Sequence, residues 1–497
     1  MNKQIRRLGL ALMACFVALF AQLNYIQVFR AKDLNTHPGN VRPLERAFAQ
    51  PRGTITSGDG VVLAKSVPVD DVYKFKRLYP TGDLFGQVTG YLNYQFGSSG
   101  IEQQYTRELS GRTPEQQFRT ISDVFTTSDR SGNVTLTIRN DLQQLAKDSL
   151  GNRKGSVVAL DPKTGAVLAL WSYPSYDPGP LSDHSKDQAV GANAINVKKL
   201  LDASPDQPLR PRSYRQSFAP GSTFKVVTGS IGVESGKVTR DNPSYPQLDG
   251  LPLPQTNGLI LHNYGGEVCG GTLFDVLATS CNSSFAQMGL DLGPLTMVAG
   301  AQGFGFNDTP PLDLPGPDRS LFPTDYNQRL PSLAQASIGQ YDVRATPLEM
   351  GLVASAIANK GKAMVPHLLE EVRDNDGKVV KSYRDKVWRQ PVSEPTAALM
   401  RQAMIGVVQS GTATGLQIDG YEVAGKTGTA EAGFNPPTNH AWIIGFAGPP
   451  GQDPEVAVAV IVEGVPGVAS EQTGGQVAAP IARAMLERAL AIKKGGG

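Results

Sequence analysis

The chain has little of what metal, redox and nucleic-acid proteins depend on. Among 497 residues there are only three cysteines, Cys15, Cys269 and Cys281. Their spacing fits neither a zinc framework nor a C-x-x-C redox pair. The five histidines (His37, His184, His262, His367 and His440) are scattered, and H-E-x-x-H is absent, so no metal centre is expected. Charge of one sign is also lacking. Lys and Arg number 47 against 45 Asp and Glu, a net +2, which gives no bulk electrostatic case for nucleic acid. There is no internal repeat, and glycine and proline follow no low-complexity period. G-x-S-x-G is missing, which removes support for Ser-His-Asp hydrolysis.

Long apolar runs are scarce too, and the main one is at the N-terminus. Leu8 to Val28 is a 21-residue stretch without a formal charge, close to the roughly 20 residues a bilayer-spanning helix needs. Lys3, Arg6 and Arg7 precede it, so the positive-inside rule places the N-terminus in the cytoplasm and the rest outside. Leu12-Met13-Ala14-Cys15 has the form of a lipobox, but it would leave only Leu8 to Met13 as apolar core. No small-x-small pair closes the run, so an uncleaved anchor is expected.

Residues 31–150 are polar and glycine-punctuated, with short β-like runs such as Gly60 to Ala64 and a linker-like cluster from Thr126 to Asn133. Val134 to Ile138 alternates as a strand, and Asp141 to Leu150 has helical periodicity. Gly155 to Ser172 reads as a hairpin turning at Asp161-Pro162-Lys163-Thr164-Gly165. Residues 183–212, polar and proline-rich, read as loop. Ser222 to Gly236 is helical, and Thr272 to Thr279 is a helix opened by a Thr272-x-x-Asp275 capping box. Tyr421 to Ala430, His440 to Ala447 and Val456 to Val462 read as successive antiparallel strands, and Gln476 to Ala491 as a closing helix. Helices between early and late strands predict one α/β sandwich from about residue 150 onward. The expected division is an anchor at 1–30, a small α+β domain at 31–150 and a catalytic domain at 151–497.

The chemistry gathers in three places. Pro220-Gly221 puts Ser222 at a helix N-terminus, where free N–H groups and the helix dipole favour developing negative charge. Lys225, three residues on, shares its face. A lysine can take a serine proton once burial and a second cation lower its pKa. Ser222-Thr223-Phe224-Lys225 alone is a common chance match, and its bland reading is an N-cap serine and a solvated lysine. Ser280-Cys281-Asn282 after a helix, and Lys426-Thr427-Gly428-Thr429 on a strand, change that. A hydroxyl can relay a proton, an amide can hold a carbonyl, and a lysine with threonines can bind a carboxylate beside a strand edge.

Gly420 to Thr427 also matches the Walker A pattern G-x-x-x-x-G-K-[ST]. A P-loop needs an apolar strand before it and a helix starting at Lys-Thr. Thr412 to Asp419 is no such strand, and the loop through Pro436-Pro437 starts no helix, so the match is read as accidental.

In this order, S-x-x-K, S-x-N and K-T-G are the signature of β-lactamases and penicillin-binding proteins. The chain resembles the class B, monofunctional penicillin-binding proteins over nearly everything after residue 50. The resemblance rests on Arg52-Gly53-Thr54-Ile55, Gly100-Ile101-Glu102, Val157 to Pro178, Pro220 to Lys225, Ile338-Gly339-Gln340, Thr346-Pro347-Leu348, and Gly474-Gly475 through Ala479-Pro480. Within that family the short N-terminal region, the early stop and Cys281 look most like actinobacterial penicillin-binding protein A. The usual I-x-D-R-x-G becomes Ile55 to Gly60 without its arginine. Too few residues precede the transpeptidase region for a glycosyltransferase, and no C-terminal sensor domain is expected.

The resemblance implies a serine penicillin-recognising (DD-peptidase/β-lactamase-like) transpeptidase fold, an antiparallel sheet flanked by helices. It implies a peptidoglycan D,D-transpeptidase with Ser222, Lys225, Ser280, Asn282 and Lys426 catalytic, and Thr427, Gly428 and Thr429 binding substrate. No cofactor is implied. The implied partners are stem peptides, β-lactams, the cytoplasmic membrane and division or elongation proteins. A β-lactamase or D,D-carboxypeptidase would pass the acyl group to water, but the E-x-x-L-N base is missing. A non-catalytic division scaffold would have no chemical need for Ser222, Lys225 and Lys426 together. Outside the membrane, Cys269 and Cys281 are either bridged or two buried thiols. Reach across the intervening helix just permits a bridge, which is the favoured outcome.

Overall fold

The computed structural model describes residues 3–29, 48–71, 73–117, 130–184, 188–326, 329–431, 438–465 and 472–495. These form two compact units, one of 1–51 with 67–76 and the other of 52–66 with 77–497. The first contains the helix Lys3–Asn24, fully exposed and continued by a wider turn at Tyr25–Phe29. Within Lys3–Gln27 an 18-residue stretch reaches a mean hydropathy of 1.8, so the helix is long and apolar enough to cross a membrane.

The second unit is built on a five-stranded antiparallel sheet. Its strands are β1 (Gly155–Leu160), β2 (Val167–Tyr173), β3 (Glu422–Glu431), β4 (Asn439–Gly448) and β5 (Val456–Val462), in the order β3-β4-β5-β1-β2. The expected hairpin and all three late strands are present. Every residue of β5 is buried, so both its faces are covered, as in a sheet sandwiched by helices. Among its helices are α1 (Asn140–Leu150), α2 (Lys225–Glu234), α3 (Leu273–Ala278), α4 (Asn282–Leu292), α5 (Pro347–Ala358), α6 (Glu394–Ser410) and α7 (Ala479–Gly495). α5, all apolar or uncharged apart from Glu349, lies over Val158, Leu160 and Ala459, while α7 packs on β5 and on α1. β3 is left at the sheet edge, with α6 along it.

A second sheet joins distant segments. Ile55–Thr56 runs parallel to Asn133–Leu136, which pairs antiparallel with Leu369–Arg373. Buried Val134, Leu136 and Ile138 bear out the alternation read from sequence. Where the family arginine is missing, Asp59 accepts from the N–H groups of Asn140 (2.9 Å) and Asp141 (3.2 Å), capping α1.

One reading is corrected. Within 183–212, expected to be loop, Gln188–Ala203 is a 16-residue helix. Ala194 is buried, and Val197 and Leu201 pack on a satellite cluster of Tyr91, Tyr176 and Leu181. The apolar contacts recur at 194, 197 and 201, a helical spacing, and the prolines that suggested a loop, Pro205, Pro208 and Pro211, all follow the helix. Residues 126–129 of the expected linker, and 432–437 around Pro436-Pro437, lie outside the described residues.

Candidate active site

The turn carrying Ser222 is wedged against β3 by close backbone approaches. Gly221 adopts φ +53°, and a Cβ there would come 2.6 Å from Thr429 O. Gly339, at φ +75°, accepts from Gly221 N at 2.9 Å and would meet Gly221 O at 2.1 Å if it carried a Cβ. Only glycine fits either position. Gly428 is tight for the same reason, since a Cβ would sit 2.9 Å from Pro220 O. Trp442 on β4 donates its indole N–H to Ala219 O (3.0 Å), fixing the chain just before the turn. A single 3₁₀ turn, Gly221–Phe224, then feeds α2. Phe224, Val227 and Ile231 are buried as expected, and Phe224 stacks on Phe322 at 5.4 Å. Ser222 is half-buried at the wall of a cleft of about 980 Å³.

Lys225, one turn on, is completely buried. Its Nζ donates to Ser280 O (2.6 Å) and Asn282 Oδ1 (2.6 Å) and approaches Ser280 Oγ at 3.3 Å. Lys426, in the middle of β3, is equally buried, and its Nζ donates to Ser280 Oγ (2.8 Å) and Thr427 O (3.1 Å). Two ammonium groups thus converge on one hydroxyl, and neither meets a carboxylate among the described residues. Burial, and then the charge of Lys426, push the Lys225 ammonium well below the usual lysine range. Burial pushes Lys426 down to about 7. β3 runs unbroken through Lys426-Thr427, so the Walker-like octapeptide forms a strand and no P-loop.

Ser280 and Asn282 are presented by the junction of α3 and α4. The Thr272 capping box is present: Asp275 accepts from Thr272 N at 2.9 Å. Ser280 sits at φ +62°, a sparsely populated conformation for a serine, of the kind that functional sites hold by surrounding contacts. Asn282 opens α4, and its Nδ2 donates to His262 O at 3.0 Å. The favoured disulfide is formed, Cys269 to Cys281, with Cα atoms 5.8 Å apart. Residues Cys269–Gly271 run as a strand against Tyr245–Leu248, which brings Cys269 back alongside α3.

The structure therefore brings Ser222, Ser280, Asn282, Thr427 and Thr429 to one cleft, with Lys225 and Lys426 immediately behind it. Residues that sequence reasoning did not single out complete it. Thr412 shares a 2.6 Å hydroxyl contact with Thr427, and Asn263, buried beside the disulfide, accepts from Ser283 N at 2.8 Å. Neither has a local pattern that marks it, because both are placed by contacts distant in sequence.

A family model described as "Penicillin binding protein transpeptidase domain" matches residues 155–487. Another, "Penicillin binding protein A dimerisation domain", matches residues 52–134. The chain is 39% identical to the peptidoglycan D,D-transpeptidase PbpA of Mycolicibacterium smegmatis, with 99% of each chain covered. Identity to PbpA of Mycobacterium tuberculosis is 36%, again over 99% of each. Among solved structures, the ceftriaxone acyl-enzyme complex of penicillin-binding protein A from M. tuberculosis matches with a TM-score of 0.81. That match has 35% identity and covers 90% of this chain and 100% of the other. The penicillin G acyl-enzyme complex of the same protein matches with a TM-score of 0.78.

Proposed function

The chain belongs to the penicillin-binding protein transpeptidase family, and from that premise we propose that it is a class B peptidoglycan D,D-transpeptidase acylated by β-lactams at Ser222. The observation that carries the residue assignment is the pair of buried, carboxylate-free lysines meeting at Ser280 beside the Ser222 turn. Neutral Lys225 takes the Ser222 proton as Oγ attacks the carbonyl between the two D-alanines of a stem peptide. The N–H groups of Ser222 and Thr429 stabilise the oxyanion. Ser280 passes the proton to the departing amine as the C–N bond breaks, and D-alanine leaves. Asn282 holds the donor, and Lys426, Thr427 and Thr429, with Gly428 between them, hold its terminal carboxylate. An amine from a neighbouring strand then takes the acyl group from Ser222 and completes the cross-link.

In this reading residues 1–30 are the cytoplasmic tip and anchor, 31–150 a non-catalytic module and 151–497 the transpeptidase domain. The N-terminal helix crosses the membrane once, leaving the cleft outside, where division or elongation proteins are its partners. The test incubates the protein with labelled penicillin, and separately with a D-alanyl-D-alanine donor and an amine acceptor, and weighs the products. Penicillin on the Ser222 peptide and a cross-linked product are expected. Undiminished labelling of Ser222→Ala, or hydrolysis product alone, would overturn the proposal. A protein lacking residues 1–30 should be soluble and still labelled.

A further inference from the structure

A second cavity, of about 460 Å³, lies in the larger unit, and its lining shares no residue with the cleft. That size is within the roughly 300–1,000 Å³ typical of small-molecule sites. α7 separates the two. It starts at Ala479, close behind Gly475 of the cleft lining, and reaches the cavity at Ala489, about 15 Å further along its axis. There the end of α7 meets the turn between β1 and β2 and the sheet that joins Asn133–Leu136 to Leu369–Arg373. Leu142, Leu168, Leu369 and Ile492 give the cavity apolar walls.

Its polar groups are biased toward acceptors. The two cations of the lining are already paired, Lys493 with Asp161 and Arg139 with Asp141 at 3.3 Å. Glu370 and Asp385, its two acids, form no ion pair among the described residues. Burial, reinforced by Glu371 and partly offset by Arg373, pushes the Glu370 carboxyl above its usual range, as befits an acid short of counter-charge. His367 and Tyr383, both in the lining, stack with rings 9° apart and centroids at 3.5 Å. Burial outweighs the nearby acids Asp313, Asp385 and Asp161 and holds His367 below its usual range, hence neutral. Its Nδ1 lies 3.2 Å from Val365 O, so the proton sits there and Nε2 is left as an acceptor. Tyr383 Oη is buried without a hydrogen-bond partner among the described residues, a cost that a bound ligand can relieve.

We infer that this cavity is a binding site for a small organic cation with a flat apolar body, of the arylalkylamine class. The ammonium is met by Glu370 and Asp385, and His367 Nε2 and Tyr383 Oη supply further acceptors for its N–H groups. The Tyr383 ring, covered by His367 on one side, adds an aromatic face for the charge. The apolar body fills the space between the four aliphatic walls. An anion of the same shape would meet two unpaired carboxylates, while Arg139 and Lys493 stay with their own acids.

The test titrates full-length protein in detergent with tryptamine by calorimetry, against matched detergent buffer. A parallel titration uses 3-(indol-3-yl)propionate, which keeps the ring and reverses the charge. One saturable site for tryptamine is expected, with a Kd on the order of 0.1–1 mM for a ligand this small. The propionate should bind at least about tenfold more weakly, the ratio expected for one charge-assisted contact. Glu370→Gln and Asp385→Asn, both at exposed positions, should each weaken tryptamine about two- to fivefold. Ala166→Trp, which fills the cavity, should abolish binding, and if thermal melts show it misfolded the two acid variants decide. Protein first acylated with penicillin should bind tryptamine with unchanged Kd. No saturable heat, equal affinity for the propionate, or full affinity in E370Q/D385N overturns the inference. Loss of tryptamine binding after acylation puts the amine in the cleft and also overturns it. Failure of penicillin to label the protein overturns the transpeptidase reading alone, since no residue of this site lines the cleft.

Discussion

Two clusters of buried charge sit in this molecule and meet opposite fates. In the N-terminal part, Glu102 is fully buried between Arg52 and Arg77, with Nε–Oε distances of 2.5 Å to each. Burial pushes its carboxyl up, but Arg77 and Arg52 outweigh that and hold it below the usual range. Both guanidiniums there share the one carboxylate as counter-charge. Behind the cleft, Lys225 and Lys426 are as deeply buried, but among the described residues their hydrogen bonds go to hydroxyl, amide and carbonyl oxygens and to no carboxylate, and burial drives both down. Burial with counter-ions fixes ionisation and makes a brace, whereas burial without them frees a proton and makes a base.

The contrast can be broken at either end. Lys225→Ala should slow penicillin acylation roughly 10²–10⁴-fold through loss of the base, while stability shifts by no more than about 1–2 kcal/mol. Stopped-flow acylation and thermal melting read the two effects separately. Glu102→Gln should do the reverse. It strands two buried arginines and should cost about 3–5 kcal/mol, with the acylation rate of the folded protein unchanged. A rate loss in that variant without a stability loss would erase the distinction.

The cleft, whose lining forms no ion pair among the described residues, is braced covalently. The Cys269–Cys281 bridge closes a loop of sequence separation 12, and the double variant C269A/C281A should lose about 2–3 kcal/mol in denaturant melts. Asn282, next in sequence, should then position Lys225 less well, so acylation should also slow. Glu349 extends the rule to a lone acid. It is fully buried, both carboxylate oxygens lack hydrogen-bond partners among the described residues, and burial, partly offset by Arg389 and reinforced by Asp308, raises it to about 8. Its folded-state pKa lies above the unfolded value, so it lowers stability progressively as pH rises from about 4.5 toward 8. Glu349→Gln should stabilise by on the order of 1 kcal/mol at neutral pH and flatten that slope in pH-dependent melts.

How much of this was legible depended on whether the signal was local. The Ser222 helix start, the Thr272–Asp275 capping box and the three late strands are written in spacing and turn residues, and all three lie where expected. The order of the three motifs pointed to one cleft because each lay in the context its chemistry needs. The pairing of Asn133–Leu136 with Leu369–Arg373 had no local signature, since it joins segments more than two hundred residues apart. The Arg52–Glu102–Arg77 cluster was half visible: two motifs carried its ends, but nothing in either showed that they meet. The Gln188–Ala203 helix was obscured because it buries only a narrow stripe.

The central claim is that Lys426 helps to keep Lys225 neutral, and the pH profile of penicillin acylation tests it most directly. Removing a neighbouring cation favours protonation, so Lys225 should titrate higher in Lys426→Ala. The account predicts that the acid limb of the acylation rate moves to higher pH in that variant, whatever the loss in its maximum. An acid limb that stays in place, or moves to lower pH, would contradict it.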